Sequence, residues 1–124
     1  PLFIACQEGH LDIARLLLEH RADIHKATNL GYSPLYIASM MGDTDAVRFL
    51  LENGADANLA RKEDYWSPLY TACEAGHIEI VRLLLEKGAH IDQADDEGMS
   101  PLFAAYAAGE VEIAQLVLDN GADV

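Results

Sequence analysis

An apolar triplet returns along the chain at a fixed interval: Leu16-Leu17-Leu18, Phe49-Leu50-Leu51, Leu83-Leu84-Leu85 and Leu116-Val117-Leu118. The intervals are 33, 34 and 33 residues. A second apolar run keeps the same step. It begins at Pro1, Pro34, Pro68 and Pro101, and reads Pro-Leu-Phe-Ile-Ala, Pro-Leu-Tyr-Ile-Ala, Pro-Leu-Tyr-Thr-Ala and Pro-Leu-Phe-Ala-Ala. Gly9, Gly42, Gly76 and Gly109 recur in register. So do Arg21, Gly54, Gly88 and Gly121, where the first unit departs from glycine. A period of this length means stacked repeats, each burying its apolar face on its neighbours.

The second unit predicts its own elements. Ser33 before Pro34 is a helix start: a hydroxyl cap, then proline where its missing N–H costs nothing. Leu35, Ala38 and Ser39 share one face of a short helix, and Gly42 ends it. Asp43 and Asp45 open a second helix, where the helix dipole favours their charge. Val47, Leu50 and Leu51 form its buried stripe, and Gly54 ends it. Each unit is thus two antiparallel helices and a projecting loop or hairpin. Ala5, Ala38, Ala72 and Ala105 let the first helices stack closely. The Leu-rich second helices lie behind them and are expected to be longer, so the stack curves and gives a concave face.

These residues carry a resemblance over essentially all 124 positions. The chain resembles the ankyrin repeats, whose unit is about 33 residues, a turn and two helices with a Thr-Pro-Leu-His-x-Ala motif. Ser33, Ser67 and Ser100 stand where the family usually has Thr. Gly9-His10 and Gly76-His77 match it, as do Gly54-Ala55-Asp56 and Gly121-Ala122-Asp123. The resemblance implies an all-α, curved solenoid: one domain over 1–124, with units at about 1–27 (partial), 28–60, 61–94 and 95–124. We expect it to be a piece of a longer array.

Some positions depart from the family. Its His after Pro-Leu is replaced by Phe3, Tyr36, Tyr70 and Phe103, and four aromatics in register are expected to stack between repeats. The third unit has one extra residue within Arg61 to Trp66. It also carries Tyr65 where units two and four have Gly31 and Gly98, so its loop must bulge or turn differently. Arg21 stands where a helix end favours glycine.

The resemblance implies that ligands bind at the hairpin tips and the concave face of the first helices. Carried over by position, those residues are Tyr32, Trp66 and Met99 at the tips, with Tyr65 beside them. Met40, Met41 and Glu74 follow late in the first helices, and Asp96 and Glu97 at the fourth tip. Tyr, Trp and Met are residue types that anchor interfaces. The same side chains also suit packing between adjacent hairpins. The partner expected is a protein or peptide with apolar anchors and flanking Lys or Arg.

Charge narrows the partners further. The net charge is −13, from 21 acidic and 8 basic residues. Nucleic-acid binding rests on neutralising phosphates, so neither nucleic acid nor an anionic membrane surface is expected. From Ala94 to Val124 there are seven acidic residues and no Lys or Arg. A basic partner surface would be steered to that end, although a solubilising surface has the same signature. No apolar stretch approaches the roughly 18 residues that span a bilayer. The hydrophobic share is 51% and the charged share 23%, as in folded soluble chains.

Cys6 and Cys73 are equivalent positions two units apart. Stacked helices sit about 10 Å from each other, which separates these residues by roughly 20 Å. A disulfide needs Cα atoms within about 7 Å. Free buried thiols are expected, and with them an intracellular setting, cytoplasmic or nuclear. A secreted pathogen effector fits the family equally.

Chemistry finds little support. With Gly98 at the sixth place of a calcium loop, Gln93 and Ala104 fall at the first and twelfth, and both are wrong. His10 and His77 lie two units apart, and His20, His25 and His90 have no zinc spacing. No nucleophile, base and orienter come together, so no catalytic residue, metal or cofactor is assigned. Leu50, Asp56 and Asn58 resemble the ankyrin pattern read by asparaginyl hydroxylase, with Asn58 as acceptor. The commoner role of such an Asn is a bond within its own turn. The function expected is a monomeric, non-catalytic recognition scaffold. The alternatives are an interaction module of a larger enzyme or channel, and a structural or self-associating spacer.

Overall fold

The computed structural model covers residues 1–124 and contains eight helices. They are α1 (Leu2–Gln7), α2 (Leu11–Glu19), α3 (Pro34–Met41), α4 (Thr44–Glu52), α5 (Pro68–Ala75), α6 (Ile78–Glu86), α7 (Pro101–Ala108) and α8 (Val111–Asp119). They form four antiparallel pairs stacked in chain order. The first helices α1, α3, α5 and α7 pack more closely on one another than the second helices do. The stack therefore closes on the first-helix side. In units two to four the lengths differ by one residue, as for α3 with eight and α4 with nine, and in unit one by three. Spacing between helices, rather than the expected difference in length, sets the two sides apart.

The helix starts follow from the Ser-Pro pairs. Ser33, Ser67 and Ser100 each accept a hydrogen bond from the backbone N–H three residues on, at Tyr36, Tyr70 and Phe103. Asp43 caps α4 by accepting from the Ala46 N–H at 3.0 Å. Gly42 ends α3 at φ 79°. Its lack of a side chain is used twice, because the His77 imidazole of the next unit would lie 2.6 Å from a Cβ there. His77 Nε2 is 3.1 Å from the Met40 carbonyl, so the ring links units two and three.

Packing runs through one continuous core. Ala5, Ala38, Ala72 and Ala105 are fully buried between first helices, with Leu50, Leu84 and Val117 behind them. Cys6 and Cys73 are buried, unpaired thiols. Burial, and for Cys6 also Asp43, pushes them up to about 11 and about 12 respectively, so they stay protonated.

A polar ladder joins the units outside the core. One position per unit accepts a backbone N–H from the next. His25 Nε2 accepts from Asp56, Asn58 Oδ1 from His90, and Asp92 Oδ1 from Asp123. Asn58 also donates from Nδ2 to the Gly88 carbonyl, and its own carbonyl accepts from Gln93. Its backbone N–H stays within its own turn, donating to Asp56 Oδ1 at 2.9 Å, while its side chain and carbonyl cross to the next unit.

Two non-glycine residues have positive φ, Arg21 at 65° and Tyr65 at 60°. Each costs about 1 kcal/mol relative to glycine. Arg21→Gly is expected to raise stability by about 1 kcal/mol in denaturant titration. Asn58→Ala removes two side-chain bonds between units and is expected to lower it by about 1–2 kcal/mol. An unchanged midpoint for Asn58→Ala would show that water replaces those bonds at no cost.

Candidate functional site at the hairpin tips

Each tip is closed by a pair of backbone bonds, the inner one from Gly31, Tyr65 or Gly98 to the carbonyl of Thr28, Arg61 or Asp95. In the outer one, Thr28 N–H donates to Tyr32, Arg61 to Trp66 and Asp95 to Met99. The third loop spans one residue more than the others. Asp64 organises that extra length. Its Oδ1 accepts the Trp66 N–H, and the Arg61 guanidinium binds both of its oxygens. Tyr65 then takes the left-handed conformation that Gly31 and Gly98 hold in the flanking units. The third tip also touches the fourth, through the Asp96 N–H and the Asp64 carbonyl at 3.0 Å.

The aromatic residues stack within units, not between them as expected. Tyr32 lies on Tyr36 with ring centres 5.4 Å apart, and Trp66 lies on Tyr70 at 4.8 Å. The reason is spacing: tip and helix residue are four apart and meet over the Ser-Pro turn. The link between units is made by a cation. Arg61 of unit three sits over both Tyr32 and Tyr36 of unit two, 5.1 and 5.8 Å from the ring centres. The sequence pattern did not single out Arg61. The only available signal was an Arg-x-x-Asp spacing inside the lengthened loop.

The tyrosine hydroxyls reach forward as well. Burial raises the Tyr36 phenol, against a hydrogen bond with Thr71 of unit three. Tyr70 is pushed up to about 12 by burial, by Asp95 of unit four, which is also its hydrogen-bond partner, and by Glu74 and Glu97. At neutral pH both phenols keep their protons. Phe3 and Phe103, in the outer units, have no hydroxyl to offer.

The anticipated site residues therefore divide by exposure. Met41 is 54% exposed and Tyr65 58% exposed. Glu74, Asp96 and Glu97 are also open to solvent. Tyr32, Met40, Trp66 and Met99 are half-buried, with Trp66 and Met99 packed against the core. No group of three or more His, Cys, Asp or Glu side chains is arranged to hold a metal ion. No helix is long and apolar enough to cross a membrane.

A family model described as ankyrin repeats (3 copies) matches residues 1–61 and 55–124. The chain belongs to the ankyrin repeat family. Compared with curated proteins, it finds no match. Ankyrin repeats are in general protein–protein interaction modules and typically non-catalytic.

Arg61 and Asp64 give the tips a measurable pH response. Burial pushes the Asp64 carboxyl up. The Arg61 guanidinium and the Trp66 N–H outweigh that and hold it below its ordinary value of 3.8. A depressed carboxylate stabilises the fold above its unfolded value and loses that contribution as pH falls through the folded value. Arg61→Ala is expected to cost about 1–2 kcal/mol at pH 7, from the ion pair and the ring contacts. The gap to wild type should narrow as pH falls from about 5 towards 2. A gap independent of pH in denaturant titrations would place the whole effect in ring stacking.

Proposed function

We propose that the chain is a non-catalytic recognition module that binds a segment of a partner protein across the tips and first-helix ends of units two to four. One observation carries this reading. Tyr65 is an exposed aromatic side chain held at φ 60°, where both neighbouring units use glycine. It costs the fold about 1 kcal/mol and covers no core. Backbone strain without a packing return is a feature of functional positions.

The residues around it supply the character of the partner. Met41 and Tyr65 offer open apolar surface, and Tyr32, Met40, Trp66 and Met99 offer their free edges. Glu74, Asp96 and Glu97 add negative charge on the side of unit four. A segment with aliphatic anchors and flanking Lys or Arg complements this set, and its association would be faster at low salt. A monomer is sufficient to bind it.

Tyr65→Gly tests the reading on two axes. The variant should be more stable by about 1 kcal/mol, because glycine relieves the strain. In affinity capture from cell lysate, partners held by wild type should be lost or weakened by about 2 kcal/mol, as for a hot-spot aromatic. Met41→Ala should weaken the same partners. Equal retention by wild type and both variants, with all three folded by circular dichroism, would remove the tips from the binding surface.

A further inference from the structure

Two units pair a tip aromatic with a first-helix tyrosine, and only one of the pairs meets a cation. In unit two the Tyr32–Tyr36 pair carries the Arg61 guanidinium, 5.1 and 5.8 Å from the two ring centres. In unit three the Trp66–Tyr70 rings lie as close together, at 4.8 Å. Arg61 reaches back from the residue that closes the next hairpin. The closing residues are Thr28, Arg61 and Asp95, at intervals of 33 and 34 residues. Unit four therefore offers a carboxylate where unit three offers a guanidinium. It has no other cation to give, because there is no Lys or Arg from Ala94 to Val124.

The surroundings of the second pair are negative. Asp95 Oδ1 accepts the backbone N–H groups of Glu97 and Met99, at 2.9 and 2.8 Å, and Asp95 is the hydrogen-bond partner of Tyr70. Burial pushes the Tyr70 phenol up to about 12, and Asp95, Glu74 and Glu97 add to it, so all three carboxylates act at one place. Glu74 and Glu97 are exposed, and neither has a cationic partner. The ion pairs of the chain are Arg48–Asp45, Arg61–Asp64 and Arg82–Glu79. Trp66 is half-buried rather than sealed. An aromatic face attracts a cation through its quadrupole, and tryptophan does so most strongly.

We infer that the Trp66–Tyr70 pair receives the guanidinium of an arginine from the partner protein, between Glu74 and Glu97, an assignment that rests on the reading of a partner segment lying across the tips. The arrangement repeats what the chain does one unit earlier, with the cation supplied from outside. Arginine suits the place better than lysine. A planar guanidinium stacks on a ring and bonds a carboxylate together, as Arg61 does with Tyr32 and Asp64.

Trp66 is the only tryptophan of the chain, so its fluorescence reports this place directly. The probes are N-acetyl-arginine amide and its neutral isostere N-acetyl-citrulline amide, each titrated into the full chain at low salt. The arginine derivative should change the Trp66 emission saturably, and the citrulline derivative should not. The variant Glu74→Gln/Glu97→Gln keeps the shape of both side chains, and Gln7 already holds the position of Glu74 in unit one. With an unchanged circular dichroism spectrum, it should bind the arginine derivative about tenfold more weakly. Equal responses to the two derivatives, no saturable response, or equal binding by wild type and variant overturns the inference. Partners captured through Tyr65 and Met41, together with a null titration, overturn this inference alone. Capture indifferent to Tyr65 and Met41 removes the broader reading, and this inference with it.

Discussion

The stack depends on how closely one first helix can approach the next. A helix pair of this size has too little interior to hold itself together, so its apolar surface must be buried between units. Ala5, Ala38, Ala72 and Ala105 make the approach possible, and Cys6, Ser39 and Cys73 extend the same narrow column. Ser39 shows how tightly the column is specified. Its hydroxyl is fully buried and donates to the Leu35 carbonyl of its own helix at 2.7 Å, so a polar atom is carried without an unmet bond. Cysteine fits because burial keeps its thiol protonated and inert. A larger residue at these positions would force the helices apart along the whole concave side.

The replacement of the family histidine by tyrosine follows from that geometry. That position lies at the helix starts. In this chain Ser33 and Ser67 cap those starts, and the ring position is free for another use. Tyr36 lies flat under Tyr32, Tyr70 lies tilted under Trp66, and both send their hydroxyls to the next unit. The outer units use phenylalanine. Arg61 completes the arrangement by covering two rings of one unit while bound to the carboxylate of the next. The tips are thereby held in a fixed relation to one another, which is what a surface needs to bind without a large entropic cost.

Much of the architecture was legible because its signals are local and repeated. Ser-Pro pairs, glycines after helices and apolar triplets each have one physical meaning, and their shared period fixes the stacking. What was not legible depends on which neighbour a side chain meets. Four aromatics in one sequence register suggest a ladder between units, yet residues four apart in the same unit reach each other first. Asn58 in a turn suggests a bond within that turn; its backbone N–H makes one, but the next unit lies close enough to take its side chain and its carbonyl. Arg61 has no motif of its own, and its role appears only when the rings of the preceding unit are in place. The site is blurred for the same reason: sequence position names the tip residues, and only packing separates open Met41 and Tyr65 from half-buried Tyr32 and Trp66.

Arg21 and Tyr65 show how one backbone feature carries two meanings. Both residues hold positive φ at positions where other units have glycine, and both bear the same small strain. Arg21 ends an exposed helix in the first unit, where a long charged side chain remains solvated whatever the backbone does. Nothing around it uses the conformation, so the strain is uncompensated there. Tyr65 stands between Asp64 and Trp66, in a loop that Arg61 and Asp64 hold closed from both sides. The turn is fixed by those contacts, and the conformation follows from the turn rather than from the tyrosine. An aromatic side chain at such a point is placed in solvent with its backbone already ordered. The cost of immobilising the loop is then met in folding rather than in binding. That distinction, and not the φ angle alone, separates a residue the fold tolerates from one a partner can use.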